Sequence, residues 1–130
     1  MDTKAISYTP NGILACIEDR CLNLSKITYF IIEPSGINDG YMILVNGKGK
    51  AIFTSKKHTK SLLKLIEETK LYKKVNKTYF NLDTIYEISK PEKAKSINGE
   101  ERYYFIVNGE TFSFEDEKYV KEVKELIKEL

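Results

Sequence analysis

Tyr103-Tyr104-Phe105-Ile106-Val107-Asn108-Gly109-Glu110-Thr111-Phe112-Ser113-Phe114 is the stretch that decides the fold. Aromatic and β-branched residues suit a pleated, half-buried strand. Asn-Gly accepts positive φ in a two-residue turn, so residues 103–107 and 110–114 read as the arms of a hairpin. Behind it, Tyr119, Val120, Val123, Leu126, Ile127 and Leu130 fall on one stripe of a closing helix. Ser113 and Asp116 have the spacing of a capping box ahead of that helix.

The same grammar extends upstream. Strands are expected at residues 5–8, 13–17, 27–32, 41–45 and 50–54. Pro10-Asn11-Gly12, Pro34-Ser35-Gly36, Asn38-Asp39-Gly40 and Asn46-Gly47 supply the turns between them. The period then changes. Leu62, Leu63, Leu65 and Ile66 mark one face of a helix from Thr59 to about Lys70, started by His58 or Thr59. Residues 85–88 read as another strand and residues 90–101 as a polar loop. The halves align: Asn23-Leu24 through Ile27-Tyr29, then Val45-Asn46-Gly47 and Leu62-Leu63, against Asn81-Leu82 through Ile85-Tyr86, then Val107-Asn108-Gly109 and Val123-Leu126. Either a duplication or two similar βββα units explains this. The expected class is α+β, predominantly antiparallel β, with two βββα-like units in a single domain over residues 1–130. Residues 1–11 form an N-terminal extension strand.

Composition narrows the function. The chain has 130 residues, is 42% apolar and 31% charged, and carries a formal net charge of +2. That suits one folded domain and excludes a polycation. No apolar run approaches the ~20 residues that span a bilayer, and the first residues lack an apolar signal core. A cytoplasmic protein is expected, with Cys16 and Cys21 as reduced, half-buried thiols. A zinc site needs four ligands at tight spacing, and the only histidine, His58, lies far from both cysteines. Asn46-Gly47-Lys48-Gly49-Lys50 lacks the spacing of a phosphate-binding P-loop. One histidine offers no convincing Cys–His or Ser–His pair. The reading is therefore not an enzyme, with no metal, cofactor or small-molecule substrate.

Charge is unevenly spread. Residues 54–81 hold eight lysines (56, 57, 60, 64, 70, 73, 74 and 77) against Glu67 and Glu68. Residues 82–130 hold eight basic and twelve acidic residues. Lysines concentrated in this way suit a phosphate surface, because each phosphate they neutralise releases counterions. A solvated helix face in a lysine-rich protein accounts for the same pattern.

Leu62-Leu63-Lys64-Leu65-Ile66, then Leu71-Tyr72-Lys73-Lys74-Val75-Asn76-Lys77-Thr78-Tyr79-Phe80-Asn81-Leu82 and Ile85-Tyr86-Glu87-Ile88, resembles the central signature of LytTR-type DNA-binding domains. Leu24-Ser25-Lys26-Ile27-Thr28-Tyr29-Phe30 is similar to an earlier strand of that family, and Val107-Asn108-Gly109 through Phe114 to its last hairpin. The resemblance runs from about residue 12 to the end. Asn81 and Ile85 match, Lys73 keeps a positive charge, and Asn76 stands where members contact DNA. Val75 and Lys77 replace a His and a Ser. Glu115 and Asp116 stand where the family commonly has Ser-Arg, and two acids there would repel phosphates. The resemblance implies an elongated, mostly antiparallel fold that presents loops to successive major grooves.

On that reading Asn76 offers a donor and an acceptor to an adenine edge. Lys73, Lys74 and Lys77 hold the DNA backbone, and Lys56, Lys57 and His58 make a second phosphate contact. Asn81 is expected to satisfy buried backbone near a strand start, and His58 to be exposed. The expected function is a sequence-specific double-stranded-DNA-binding transcriptional regulator, acting alone or as a dimer, with a regulatory protein as a further partner. The alternative is a non-enzymatic interaction or inhibitor module of phage or mobile-element type on the same scaffold.

Overall fold

A computed structural model describes residues 7–9, 12–17, 20–36, 40–46 and 51–130. Among these the chain is mixed α+β with antiparallel strand pairing throughout. It divides into two packed units. The first comprises residues 1–73 and 77–84, the second 74–76 and 85–130.

The first unit holds two sheets. β1 (Ser7–Thr9), β2 (Gly12–Ile17) and β3 (Arg20–Asn23) form one, in that order. β4 (Tyr29–Pro34), β5 (Tyr41–Val45), β6 (Ala51–Thr54), β7 (Tyr72–Val75) and β8 (Thr78–Asn81) form the other, ordered β6-β5-β4-β8-β7. Helix α1 (Lys56–Thr69) sets Leu62 and Ile66 into a core with Ala15, Leu24, Ile27, Phe30, Ile43 and Leu71. Phe30 stacks on Tyr79 across the β4–β8 pair, ring centres 4.9 Å apart.

The second unit holds β9 (Glu92–Lys95), β10 (Glu101–Val107), β11 (Glu110–Phe114) and helix α2 (Lys118–Lys128). Alternate residues of β10 point inward. Phe105 and Val107 are buried there with Phe114, Val123 and Leu126, and Tyr119 of α2 meets the Phe114 ring edge-on. The hairpin turn expected at Asn108 is present, with Asn108 at φ 51°.

Several expectations are corrected. Cys16 and Cys21 are not free thiols: they face each other across β2 and β3 and form a disulfide. Residues 85–88 do not form a strand; Ile88 makes a single bridge to Val107. The segment 90–101 is not all loop, since β9 runs through it as an edge strand. Helix α1 begins at Lys56, capped by the Ser55 hydroxyl, which accepts the His58 N–H at 3.2 Å. The Ser113–Asp116 capping box does not form, because Ser113 belongs to β11 and bonds Arg102. Asp116 alone serves the helix start, accepting the Lys118 N–H at 2.9 Å. The turns at Pro10-Asn11 and after Asn46 lie partly outside the described residues.

The internal repeat is real in its hydrogen bonds. The Asn46 side chain accepts from Thr28 N–H and Tyr29 N–H, and its own N–H donates to Tyr29 O. Asn108 repeats this on Tyr86 N–H, Glu87 N–H and Glu87 O. Both asparagines sit at positive φ, 53° and 51°, a region that asparagine tolerates better than most residues. Leu24 N–H to Ile13 O recurs as Leu82 N–H to Leu71 O. Asn23 Oδ1 accepts from Ser25 N–H, and Asn81 Oδ1 from Asp83 N–H.

Asn81 also does what its position implied. It is fully buried, and its Nδ2 reaches the carbonyls of Leu24 (3.1 Å), Ser25 (3.3 Å) and Ile27 (2.9 Å). A buried carbonyl left without a donor costs about 1–3 kcal/mol. Asn81→Ala should therefore lower unfolding stability by roughly 2–4 kcal/mol in a urea titration. Asn81→Asp should cost more at neutral pH, because it aims a carboxylate at three carbonyl oxygens.

Candidate polyanion-binding surface

The solvent face of α1 gathers four lysines. A helix advances about 100° per residue, which puts Lys56, Lys60, Lys64 and Lys57 within an arc of about 100°. All four are exposed. The buried residues His58, Thr59, Leu62 and Ile66 occupy the opposite side. Burying that apolar stripe fixes the rotation of the helix and so turns the lysines outward.

This arrangement opposes helix stability. Lys56, Lys60 and Lys64 are like charges spaced i, i+4, which repel. The lysines crowd the N-terminal end, where the helix dipole is positive. Glu67 and Glu68 occupy the last turn, where it is negative. Each misplaced charge costs about 0.3–1 kcal/mol at low salt. α2, by contrast, interleaves Lys118, Lys121, Lys124 and Lys128 with Glu122, Glu125 and Glu129.

The residues expected to contact DNA do not all gather on one surface. Lys56 and Lys57 lie on the α1 arc. His58 does not: it is only 6% exposed and belongs to the buried side, so the phosphate contact expected of it is withdrawn. The sequence placed the helix start two to three residues late, and that error turned His58 outward. Lys73 and Lys74 are neighbours on β7 and project to opposite faces, Lys73 half-buried and Lys74 exposed. Asn76 makes the β7–β8 turn at φ 56°. Its N–H donates to Glu122 Oε1 at 2.9 Å, which puts a carboxylate at the loop meant for DNA. Lys77 pairs with Glu33 at 2.6 Å. Lys60 and Lys64 complete the arc and were visible in sequence as part of the lysine run, but only the helix phase joins them to Lys56 and Lys57.

The two acids at the end of the last hairpin have structural partners. Glu115 binds Arg102 Nη1 at 2.6 Å, and Asp116 serves the α2 start. Among the described residues no group of three or more His, Cys, Asp or Glu side chains forms a metal site. No helix among them is long and apolar enough to cross a membrane.

Behind α1, Tyr72 ties β7 to the 24–27 turn. Its hydroxyl donates within reach of Leu24 O (2.6 Å) and Ile27 O (3.2 Å). Burial raises its pKa well above the usual tyrosine value, with a smaller opposing effect from its hydrogen bond to Asn81. A folded pKa above the unfolded one stabilises below the unfolded pKa, and that stabilisation is lost as pH rises. The Tyr72 contribution should therefore be complete at neutral pH and decline above about pH 10, where the unfolded phenol ionises. Tyr72→Phe should lose about 1 kcal/mol at pH 7 and show a shallower alkaline decline than wild type in thermal melts.

Comparison of the chain with protein-family models, with curated proteins and with solved structures found no match.

Proposed function

We propose that the chain is a double-stranded-DNA-binding protein of regulatory type, and that the solvent face of α1 is its phosphate-contacting surface. One observation carries the reading: Lys56, Lys57, Lys60 and Lys64 share an arc in an order that works against the helix they belong to. A charge order that opposes the helix carrying it is a marker of function. A polyanion reverses the balance, because phosphates placed between the lysines turn mutual repulsion into attraction and release counterions. The nucleic acid is taken as duplex, since Phe30 packs against Tyr72 and Tyr79, and Phe114 against Tyr103 and Phe105, rings engaged with one another and not laid open as a stacking platform. A cytoplasmic location belongs to the same proposal.

The β7–β8 turn has a lesser part here than the family resemblance implies, because Glu122 holds the Asn76 N–H and Glu33 holds Lys77. That acidic company supports the second reading, a protein-interaction module. It is the reading to adopt if DNA is not bound.

The test is fluorescence anisotropy on a pool of duplex fragments over a salt series. Four phosphate contacts should give a log–log salt slope of about −3 to −4. Lys60→Glu with Lys64→Glu should weaken binding by roughly a hundredfold at low salt and flatten that slope by about two, with circular dichroism and melting temperature little changed. Wild-type protein that binds no duplex at low salt would remove this reading.

A further inference from the structure

The repeat is not symmetric in what covers it. Inside the chain, the hairpin β7–β8 of the second repeat adds to the sheet of the first. β8 pairs antiparallel with β4 through Tyr29 with Phe80, Phe30 with Tyr79 and Ile31 with Thr78, and Asn81 N–H donates to Thr28 O at 2.9 Å. The polar groups that meet are fixed by the Asn46 clamp. Because Tyr29 turns its N–H and C=O to Asn46, those of Phe30 face β8.

The second repeat offers the same edge with nothing added to it among the described strands. Glu87 turns its N–H and C=O to Asn108, so those of Ile88 point away from β10. Burial follows this difference. Leu24, Ile27, Tyr29 and Phe30 are buried, whereas their counterparts Leu82, Ile85 and Ile88 are half-buried and Glu87 is exposed. Tyr86, the counterpart of Thr28, is 80% exposed. At the other end of the chain, β3 is the counterpart of β8. It forms the edge of its sheet, with Arg20 and Cys21 exposed. Leu24 N–H faces β2, so alternation turns the N–H group of Cys21 outward.

We propose that the chain associates head to tail with a second copy of itself, β3 of one molecule pairing antiparallel with residues 87–89 of the next. The internal β4–β8 pair supplies the register. Leu22 lies opposite Glu87, Cys21 opposite Ile88 and Arg20 opposite Ser89. Cys21 and Ile88 exchange backbone hydrogen bonds. Arg20 and Glu87 fall on one face, two positions apart, within reach of their long side chains. Charge complementarity thus agrees with the register taken from the backbone.

The contact is weaker than its internal template. Tyr72, whose hydroxyl binds the 24–27 turn, has Leu14 as its counterpart, which offers no hydroxyl. Association also costs translational and rotational freedom that the covalent chain does not lose. Two different surfaces meet, so the contact is heterologous: it gives a closed ring where its rotation closes and a growing series of oligomers where it does not. The proposal stands apart from the DNA reading.

Sedimentation velocity over a rising concentration series of the intact, disulfide-bonded chain tests it. The weight-average sedimentation coefficient should climb with concentration. Arg20→Glu and Glu87→Arg, both at exposed positions, should each weaken association about three- to tenfold, and the two together should restore it. Hydrogen exchange at the Cys21 and Ile88 amides should slow as concentration rises. A chain that stays monomeric up to its solubility limit overturns the proposal. So does association that ignores both single reversals or leaves those two amides unprotected.

Discussion

The Asn81 carboxamide is the interaction on which the first unit depends. Three carbonyl oxygens, from Leu24, Ser25 and Ile27, converge on one nitrogen of a fully buried side chain. The turn they belong to redirects the chain from β3 into β4, the central strand of the five-stranded sheet. Without a donor there, that turn would have to open to solvent, and Leu24 and Ile27 would leave the core with it. The Tyr72 hydroxyl reaches two of the same carbonyls from the neighbouring strand. One asparagine and one tyrosine from the second repeat thus close the first.

The rotational setting of α1 follows from that core. Ala15 and Leu24 form part of the floor on which Leu62 and Ile66 rest. Once those side chains are seated, the helix has no freedom to choose which residues meet water. The lysine arc is a consequence of packing on the far side, and the electrostatic cost it carries is borne by the apolar burial beneath it.

Much of this was legible in the sequence where one signal dominated. The β10–β11 hairpin was marked by β-formers around Asn108-Gly109, and α2 by its single apolar stripe. Asn81 was correctly read as a residue serving buried backbone. What stayed hidden depended on neighbours distant in sequence. β9 consists of Glu92-Lys93-Ala94-Lys95, which has no apolar alternation, and it is a strand only because β10 lies beside it. The disulfide required knowing that Cys16 and Cys21 are directly opposed, which is a statement about register. The candidate surface was legible as a lysine run, but its membership turned on helix phase: starting the helix late brought His58 out and left Lys56 and Lys57 off the helix, so that nothing joined them to Lys60 and Lys64. The turn carrying Asn76 looked open because nothing local announces Glu122, far along the chain.

β9 has an effect of its own on the company the protein keeps. Two copies of a strand meeting edge to edge in antiparallel fashion must align residues of equal parity, because only those direct their amides the same way. For Glu92-Lys93-Ala94-Lys95 the two most overlapping alignments set Lys93 against Lys93 or Lys93 against Lys95. Each brings ammonium groups face to face, which disfavours the pairing. The strand is exposed along its whole length, yet its own composition guards it against fibril-like stacking with identical neighbours.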